Sequence, residues 1–166
     1  MKKKILTLVL TLSLSLSLAA CGGAPKEDAV SIDVNLTDFY GALLEDYEWP
    51  MLMPLEDEPL DTFYPGLRDL ELEQCSVSTA AISAAVAEIA LVEVKDADDV
   101  SKVEDIFQAR IDYQVGDGDQ PGGAFYPMTI EGWQNDSYIA SNGNYVMLAA
   151  GDHASDAVEA FNGLFA

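Results

Sequence analysis

Apolar residues recur at helical spacing in a stretch that begins at Leu36. They fall three, four, seven, eight and eleven positions after Leu36, which places them on one face of an amphipathic helix. Asn35 or Asp33 is placed to cap this helix, and Pro50 is placed to end it. The pattern therefore predicts a first helix over Leu36–Tyr47.

The chain from residue 70 to residue 95 has the pattern of two strands. Residues 86–94 are almost entirely apolar and rich in Ile, Leu and Val, which predicts a buried strand. We place strands over Cys75–Ala80 and Ala85–Lys95, while the alanine-rich stretch 78–87 leaves a helix open as an alternative. A strand that is apolar on both faces belongs in the middle of a sheet with at least one face covered.

A second helix is predicted after residue 99. Ser101 and Glu104 have the spacing of a capping box, and Arg110 lies near the C-terminal end, where a cation is favourable. The buried stripe of this helix is expected to consist of Val100, Val103, Phe107 and Ile111.

A hairpin and a last helix are predicted at the end of the chain. The turn Asn142-Gly143-Asn144 lies between two β-rich runs, Ser137–Ser141 and Tyr145–Ala150, and Asn-Gly is a strong hairpin signal. The last helix is expected from about Ala154 to Leu164, with Asp152 or Ser155 as its cap.

Two stretches lack a clear period. Four prolines interrupt residues 50–66, which we interpret as a loop with one turn of helix around Leu60–Tyr64. Residues 116–123 are rich in Gly and Asp and are expected to form a loop. The resulting order is α-β-β-α-β-β-α. It predicts an α+β fold with an antiparallel sheet of about four strands and helices packed mainly on one face.

The N-terminus has the composition of an export signal. Three lysines precede an apolar run of 16 residues, which is shorter than the roughly 20 that a membrane span requires. The segment Leu18-Ala19-Ala20-Cys21 resembles the bacterial lipobox, in which the cysteine is lipidated before cleavage. We expect residues 1–20 to be a lipoprotein signal peptide, Cys21 to be the lipidated N-terminus, 21–29 to be a short tether and 30–166 to form a single α+β domain.

Lipidation at Cys21 implies a location. A cysteine-linked diacylglycerol provides two acyl chains, and each buried methylene contributes about 0.8 kcal/mol, so two chains anchor a protein stably. We therefore expect the protein to lie on the extracytoplasmic face of the cell membrane, anchored by its lipid.

The net charge excludes one class of partner. Removal of the three lysines of the signal leaves five basic residues against 29 acidic ones, a net charge of −24 where the full chain carries −21. Nucleic-acid binding requires a basic surface and is not expected. The acidic excess either keeps the domain soluble or attracts a cationic partner or divalent ions.

Candidate catalytic residues are few. His153 is the one histidine, and Asp152 beside it could orient the ring as a base, although a histidine at a helix start is commonly a surface residue. Cys75 is the one cysteine left after Cys21, and it is either a reactive thiol or, more commonly, a small buried apolar residue. The sequence contains no Gly-x-Ser-x-Gly motif for a serine nucleophile.

Metal sites are weakly indicated. The segment Asp117-Gly118-Asp119 invites comparison with a calcium loop, but Pro121 and Met128 occupy positions at which an EF-hand has ligands. Irregular calcium binding stays open. One histidine and one free cysteine do not make a typical zinc set. A pair of carboxylates for glycoside hydrolysis can be neither excluded nor inferred in a chain with 29 acids.

A charged pair is predicted in the core. Glu88 lies within an apolar strand, where an unpaired charge is costly, and Arg110 lies on the helix that follows. We predict a structural Glu88–Arg110 ion pair in preference to a binding site.

Several short motifs resemble a family of bacterial lipoproteins classed only as a domain of unknown function. In chain order they are Glu88-Ile89-Ala90, Lys95-Asp96, Arg110, Tyr126-Pro127, Gly143-Asn144-Tyr145-Val146 and Phe161. The signal peptide and Cys21 also fit, whereas the Gly/Asp-rich segment 116–123 departs from the family. The resemblance implies no known activity.

The leading functional hypothesis follows from the anchor and from the lack of a catalytic motif. We expect a non-catalytic binding or interaction module, without a cofactor, whose partner is either an envelope protein or a cationic molecule. A lipoprotein that binds a small ligand or a divalent cation is the alternative, and a carboxylate-based surface hydrolase is a third.

Overall fold

The computed structural model describes residues 33–118 and 122–166. The predicted signal peptide, Cys21 and the tether 21–29 lie outside the described residues. The α-helices are α1 (Leu36–Asp46), α2 (Asp57–Phe63), α3 (Val100–Val115), α4 (Pro127–Asn135) and α5 (Ala154–Gly163). The strands are β1 (Leu52–Pro54), β2 (Leu72–Ala80), β3 (Ala87–Val94), β4 (Ser137–Asn142) and β5 (Tyr145–Gly151). Single 3₁₀ turns lie at Leu67–Asp69 and Ala97–Asp99.

The strands form an antiparallel sheet in the order β1-β2-β3-β5-β4. At its centre Leu91 of β3 pairs with Ser76 of β2 on one side and with Met147 of β5 on the other. The predicted α+β class and antiparallel sheet are confirmed. The sheet has five strands in the described residues where about four were predicted, because the short edge strand β1 lies in the proline-rich segment assigned to a loop.

Alternating residues of β3 and β5 supply two separate cores. Ile89, Leu91 and Met147 pack against α1 and α5 on one face of the sheet. Ala90 and Leu148 pack on the other face against α3 and the segment around α2. The prediction that the helices pack mainly on one face is therefore corrected, since helices cover both faces. This is why β3 and β5 are apolar at nearly every position.

The first helix begins as predicted. The side chain of Asn35 accepts hydrogen bonds from the backbone N–H groups of Thr37 (2.9 Å) and Asp38 (3.0 Å), so Asn35 and not Asp33 is the cap. Helix α1 ends at Asp46, before Pro50.

Two predicted caps are wrong. Helix α3 begins at Val100, so Ser101 lies inside it and forms no capping box, and Glu104 instead accepts a hydrogen bond from Ser141 Oγ at 2.6 Å. Helix α5 has His153 at its N-cap without a side-chain hydrogen bond, so neither Asp152 nor Ser155 caps it.

Helix α4 was not predicted. Pro127 occupies its first turn, a common position for proline, but Gly132 interrupts a sequence with little helical period. The helix is fixed by tertiary packing of Thr129 and Trp133, which are one turn apart and both buried.

The predicted strands and hairpin are confirmed with small shifts. Strand β2 starts three residues earlier than predicted, at Leu72, and β3 spans Ala87–Val94. The stretch 81–86 is a turn between them, so the helical alternative is wrong. The turn at Gly143 has φ +55°, as a tight hairpin requires.

The described chain enters the fold at one end of the sheet. The backbone N–H of Val34 donates to the Tyr145 hydroxyl at 3.2 Å, and the Gln74 amide donates to the Val34 carbonyl at 2.7 Å. Gln74 lies near the start of β2, whereas Ala80 and the turn 81–86 lie at its opposite end. No helix among the described residues is long and apolar enough to cross a membrane.

Candidate functional site

A buried carboxylate lies at the centre of the candidate site. Glu88 is on the face of β3 that packs toward α3, and its side chain has no solvent exposure. Arg110 of α3 donates to it from both Nε (2.8 Å, to Oε1) and Nη2 (2.9 Å, to Oε2). The predicted Glu88–Arg110 ion pair is therefore confirmed, with the bidentate geometry that arginine forms with carboxylates.

Two hydroxyl groups complete the bonding of Glu88. Tyr64 Oη donates a short hydrogen bond to Oε1, and Thr79 Oγ1 donates to Oε2 at 2.6 Å. An ionised carboxylate accepts about four hydrogen bonds, so these donors and Arg110 saturate Glu88. A carboxylate with all its acceptor positions occupied has none left for a substrate group. Glu88 therefore acts as a structural anchor for Arg110.

The surroundings of Glu88 shift the pKa values of Tyr64 and Arg110, the two titratable groups that donate hydrogen bonds to it. Desolvation, followed by the negative charge of Glu88, raises the pKa of Tyr64 well above its usual value, so Tyr64 stays a neutral donor. Burial opposes the charge of Arg110 most strongly, but the hydrogen bonds and charges of its partners together raise its pKa.

Aromatic rings enclose the guanidinium. The Cζ atom of Arg110 lies 4.4 Å from the ring centre of Phe63, 5.5 Å from that of Trp133 and 5.9 Å from that of Tyr64. These distances fall within the range of cation–π attraction. Phe63 is the last residue of α2, Tyr64 follows it, and Trp133 lies on α4, so the rings come from two segments far apart in sequence.

Two cavities meet at Arg110. The first has a volume of about 280 Å³, and its apolar wall includes Ile82, Ala85 and Trp133. The second has a volume of about 290 Å³ and lies between α2 and α3. Phe63, Arg110 and Tyr113 line both cavities.

Exposed apolar side chains surround the first cavity. Met53, Ile82 and Tyr113 contribute to its lining, yet they are 50%, 62% and 64% exposed. Clustered apolar groups at the mouth of a cavity are typical of interaction sites. We call this set, Met53, Ile82 and Tyr113, the apolar rim.

A wider groove lies at the end of α1. It has a volume of about 620 Å³, and its lining includes Tyr40, Tyr47 and Trp49. Every residue that lines it is exposed or half-buried. The cavities at Arg110 are the better candidate site, because a buried charged group forms part of their wall.

The structure does not bring Cys75 and His153 to this site. Cys75 is exposed on β2, which corrects the expectation of a buried cysteine, and desolvation by neighbouring atoms still raises the pKa of its thiol. His153 packs against Tyr47 and Trp49, and its Nδ1 lies 3.7 Å from Asp156, so its carboxylate neighbour is not Asp152.

The candidate calcium loop is only partly described, since residues 119–121 lie outside the described residues. Within 33–118 and 122–166, no three His, Cys, Asp or Glu side chains are grouped as metal ligands.

The sequence predicts the ion pair but not the residues that surround it, Tyr64, Thr79 and Trp133. Tyr64 was placed in a predicted turn and Thr79 in a predicted strand, without a role for either. Trp133 lay in the helix that was not predicted. These residues lie far apart in sequence, and nothing in the local pattern indicates that they meet in the fold. The charge of Glu88 within an apolar strand indicates only that hydrogen-bond donors must lie nearby.

Searches among curated proteins and among solved structures find no similar protein. A protein family described as a domain of unknown function (DUF4358) matches residues 35–151. This range contains the ion pair, both surrounding hydroxyl groups and the whole sheet. The chain therefore belongs to the DUF4358 family.

Proposed function

We propose that this protein is a membrane-tethered, extracytoplasmic binding module without catalytic activity, which receives an apolar group of an envelope component at the cavities beside Arg110. The observation that carries the proposal is the convergence of two cavities on one buried guanidinium beneath the apolar rim. Its chemistry favours binding, because the carboxylate of the site is saturated with hydrogen bonds.

The first cavity lies away from the N-terminal end of the described domain. The chain enters the fold near Gln74, and Thr79 beside the first cavity lies five residues further along β2. At about 3.3 Å per residue this separates the two positions by roughly 16 Å.

Chemical capture on intact envelopes tests the binding proposal. The bait is the full protein with a photo-crosslinking group at Ser83, which lines the first cavity. We expect one crosslinked envelope component, and we expect Ile82→Asp to abolish the product by placing a charge on the apolar rim. Tyr138→Asp is the matched control, since Tyr138 is also exposed but lies on β4 at the other edge of the sheet. Equal loss in both variants, or loss in neither, would contradict the proposal.

The tether is tested separately. Mass spectrometry of the N-terminal peptide from membranes should find diacylglycerol on Cys21 and no residues from 1–20. Cys21→Ser should abolish acylation. An unmodified Cys21 in the membrane-bound protein would refute the lipid anchor and leave the cavity proposal to its own test.

A further inference from the structure

One nitrogen of the buried guanidinium has no protein partner among the described residues. Arg110 bonds Glu88 through Nε and Nη2 and also interacts with the Tyr64 hydroxyl, while no hydrogen bond from Nη1 is found within the described part of the chain. Among the described residues, the fully buried side-chain atom that lacks a hydrogen-bond partner is Ser137 Oγ. Nη1 of Arg110 also lacks a partner among them but is not fully buried, so it keeps a little exposure. The Arg110 side chain as a whole is 2% exposed and lines both cavities.

The free donor group defines the polar part of a ligand. A guanidinium nitrogen can donate but not accept, so its partner must carry a hydrogen-bond acceptor. An acceptor at this point would form a hydrogen bond that no described residue forms with Nη1.

The charges around the cavity indicate an uncharged acceptor. Arg110 is the one cationic residue among the described residues that line the two cavities, and Glu88 already neutralises it. An anion would have to leave water for an apolar wall next to the Glu88 carboxylate, without a second cation. A cation would be repelled by the guanidinium of Arg110, which lines the cavities where Glu88 does not. A carbonyl or amide oxygen avoids both costs.

The size and walls of the cavity define the apolar part. The first cavity, with about 280 Å³, lies just below the usual range of 300–1,000 Å³ for ligand sites. Side chains such as Ile82 and Trp133 form much of its wall. A small ring or a branched aliphatic group fits this volume and chemistry.

We propose that Nη1 of Arg110 binds the uncharged carbonyl or amide oxygen of a small apolar group that occupies the first cavity. The inference rests on the proposed function and names the chemical class of the group that is bound. Glu88 is a positioning residue, since it fixes the plane of the guanidinium and its free edge.

Four probes of similar shape test this inference on the full-length protein. Benzamide is neutral with an acceptor, toluene lacks the acceptor, benzoate is an anion and benzylamine is a cation. Ligand-observed NMR titration should give benzamide the highest affinity. We expect about fivefold weaker binding of toluene, from the loss of one hydrogen bond, and about tenfold weaker binding of both ions.

Two cavity-filling variants locate the site without disturbing the ion pair. Ala85→Leu adds volume in the first cavity, at a half-buried position in the turn 81–86, and should abolish benzamide binding. Ala109→Leu fills the second cavity instead and should leave the affinity within twofold of wild type. Arg110→Lys, where it folds, should reduce the affinity for benzamide to that for toluene.

The outcomes separate this inference from the proposed function. Equal affinity for toluene and benzamide, a preference for benzoate, or a loss of binding in Ala109→Leu alone would overturn the ligand class. If the probes behave as expected while no envelope component is captured at Ser83, the ligand class stands and the proposed function fails.

Discussion

Removal of one partner of the Glu88–Arg110 pair should destabilise the protein more than removal of both. Arg110→Met keeps much of the side-chain volume but leaves the Glu88 carboxylate buried with two hydroxyl donors and no cation. Glu88→Gln keeps one acceptor oxygen for either Tyr64 or Thr79 and leaves an unpaired guanidinium enclosed by aromatic rings. Each change breaks a buried ion pair and should cost about 3–5 kcal/mol in the free energy of unfolding.

The double variant Glu88→Gln/Arg110→Met removes both charges together. The Gln amide can accept from one hydroxyl group through its oxygen and donate to the other through its NH₂ group, and Met packs against Phe63 and Trp133. Replacement of a buried ion pair by neutral groups of similar volume is often close to neutral, so we expect a loss of no more than about 1–2 kcal/mol. The coupling energy between the two positions should exceed about 2 kcal/mol.

Urea unfolding followed by tryptophan fluorescence measures all four proteins of the cycle. For a domain of this size, a loss of 3–5 kcal/mol lowers the melting temperature by roughly 10–20 °C, which provides an independent check. Losses in the single variants that add within about 0.5 kcal/mol in the double variant would refute the reasoning. Single variants that each lose less than about 1 kcal/mol would refute it as well.

Three further predictions concern individual residues. Tyr64→Phe should lose about 1.5–3 kcal/mol at pH 7, because it removes a hydrogen bond to a charged acceptor. The pKa of Tyr64 is raised in the folded state, so its contribution to the free energy of unfolding is present below the unfolded pKa of about 10 and is lost as the pH rises further. In urea unfolding measured from pH 8 to 11, wild type should therefore lose more stability than Tyr64→Phe. A parallel decline would contradict this. Gly151→Ala should cost at least about 2 kcal/mol by the same assay, because φ is +115° and the new Cβ would lie 2.3 Å from the Val86 carbonyl oxygen. The control Gly143→Ala, in open space at φ +55°, should cost about 1 kcal/mol, and equal losses would be inconsistent with the steric argument. Iodoacetamide should modify Cys75 at pH 8 more slowly than free cysteine, because its raised pKa lowers the thiolate fraction, and faster modification would identify a reactive thiol.

The arrangement of the site explains why a charged pair persists in an apolar core. Glu88 and Arg110 join the central strand to α3, and Tyr64 and Trp133 bring in the segment after α2 and helix α4. A buried ion pair contributes little net stability. Its value here is geometric, since it holds in place the guanidinium group of Arg110, a residue that lines both cavities.

The sequence alone determined the elements whose pattern is local. The 3.6-residue period from Leu36 and the turn at Gly143 depend on neighbouring residues, and both appear in the structure as predicted, while the cap is Asn35, one of the two candidates. The Glu88–Arg110 pair was also predictable, because a charge in an apolar strand requires a partner and cations are scarce in this chain.

Only the tertiary structure decided the features that depend on distant contacts. Helix α4 exists because Thr129 and Trp133 are buried against the rest of the fold, although its local pattern is weak. Strand β1 is held by pairing with β2, and helices cover both faces of the sheet because the alternate residues of β3 and β5 supply two cores. The same holds for the cavities, whose walls come from segments that the sequence does not place together. Periodicity reports which side of an element is buried, but the element that packs against it is set by packing across the whole domain.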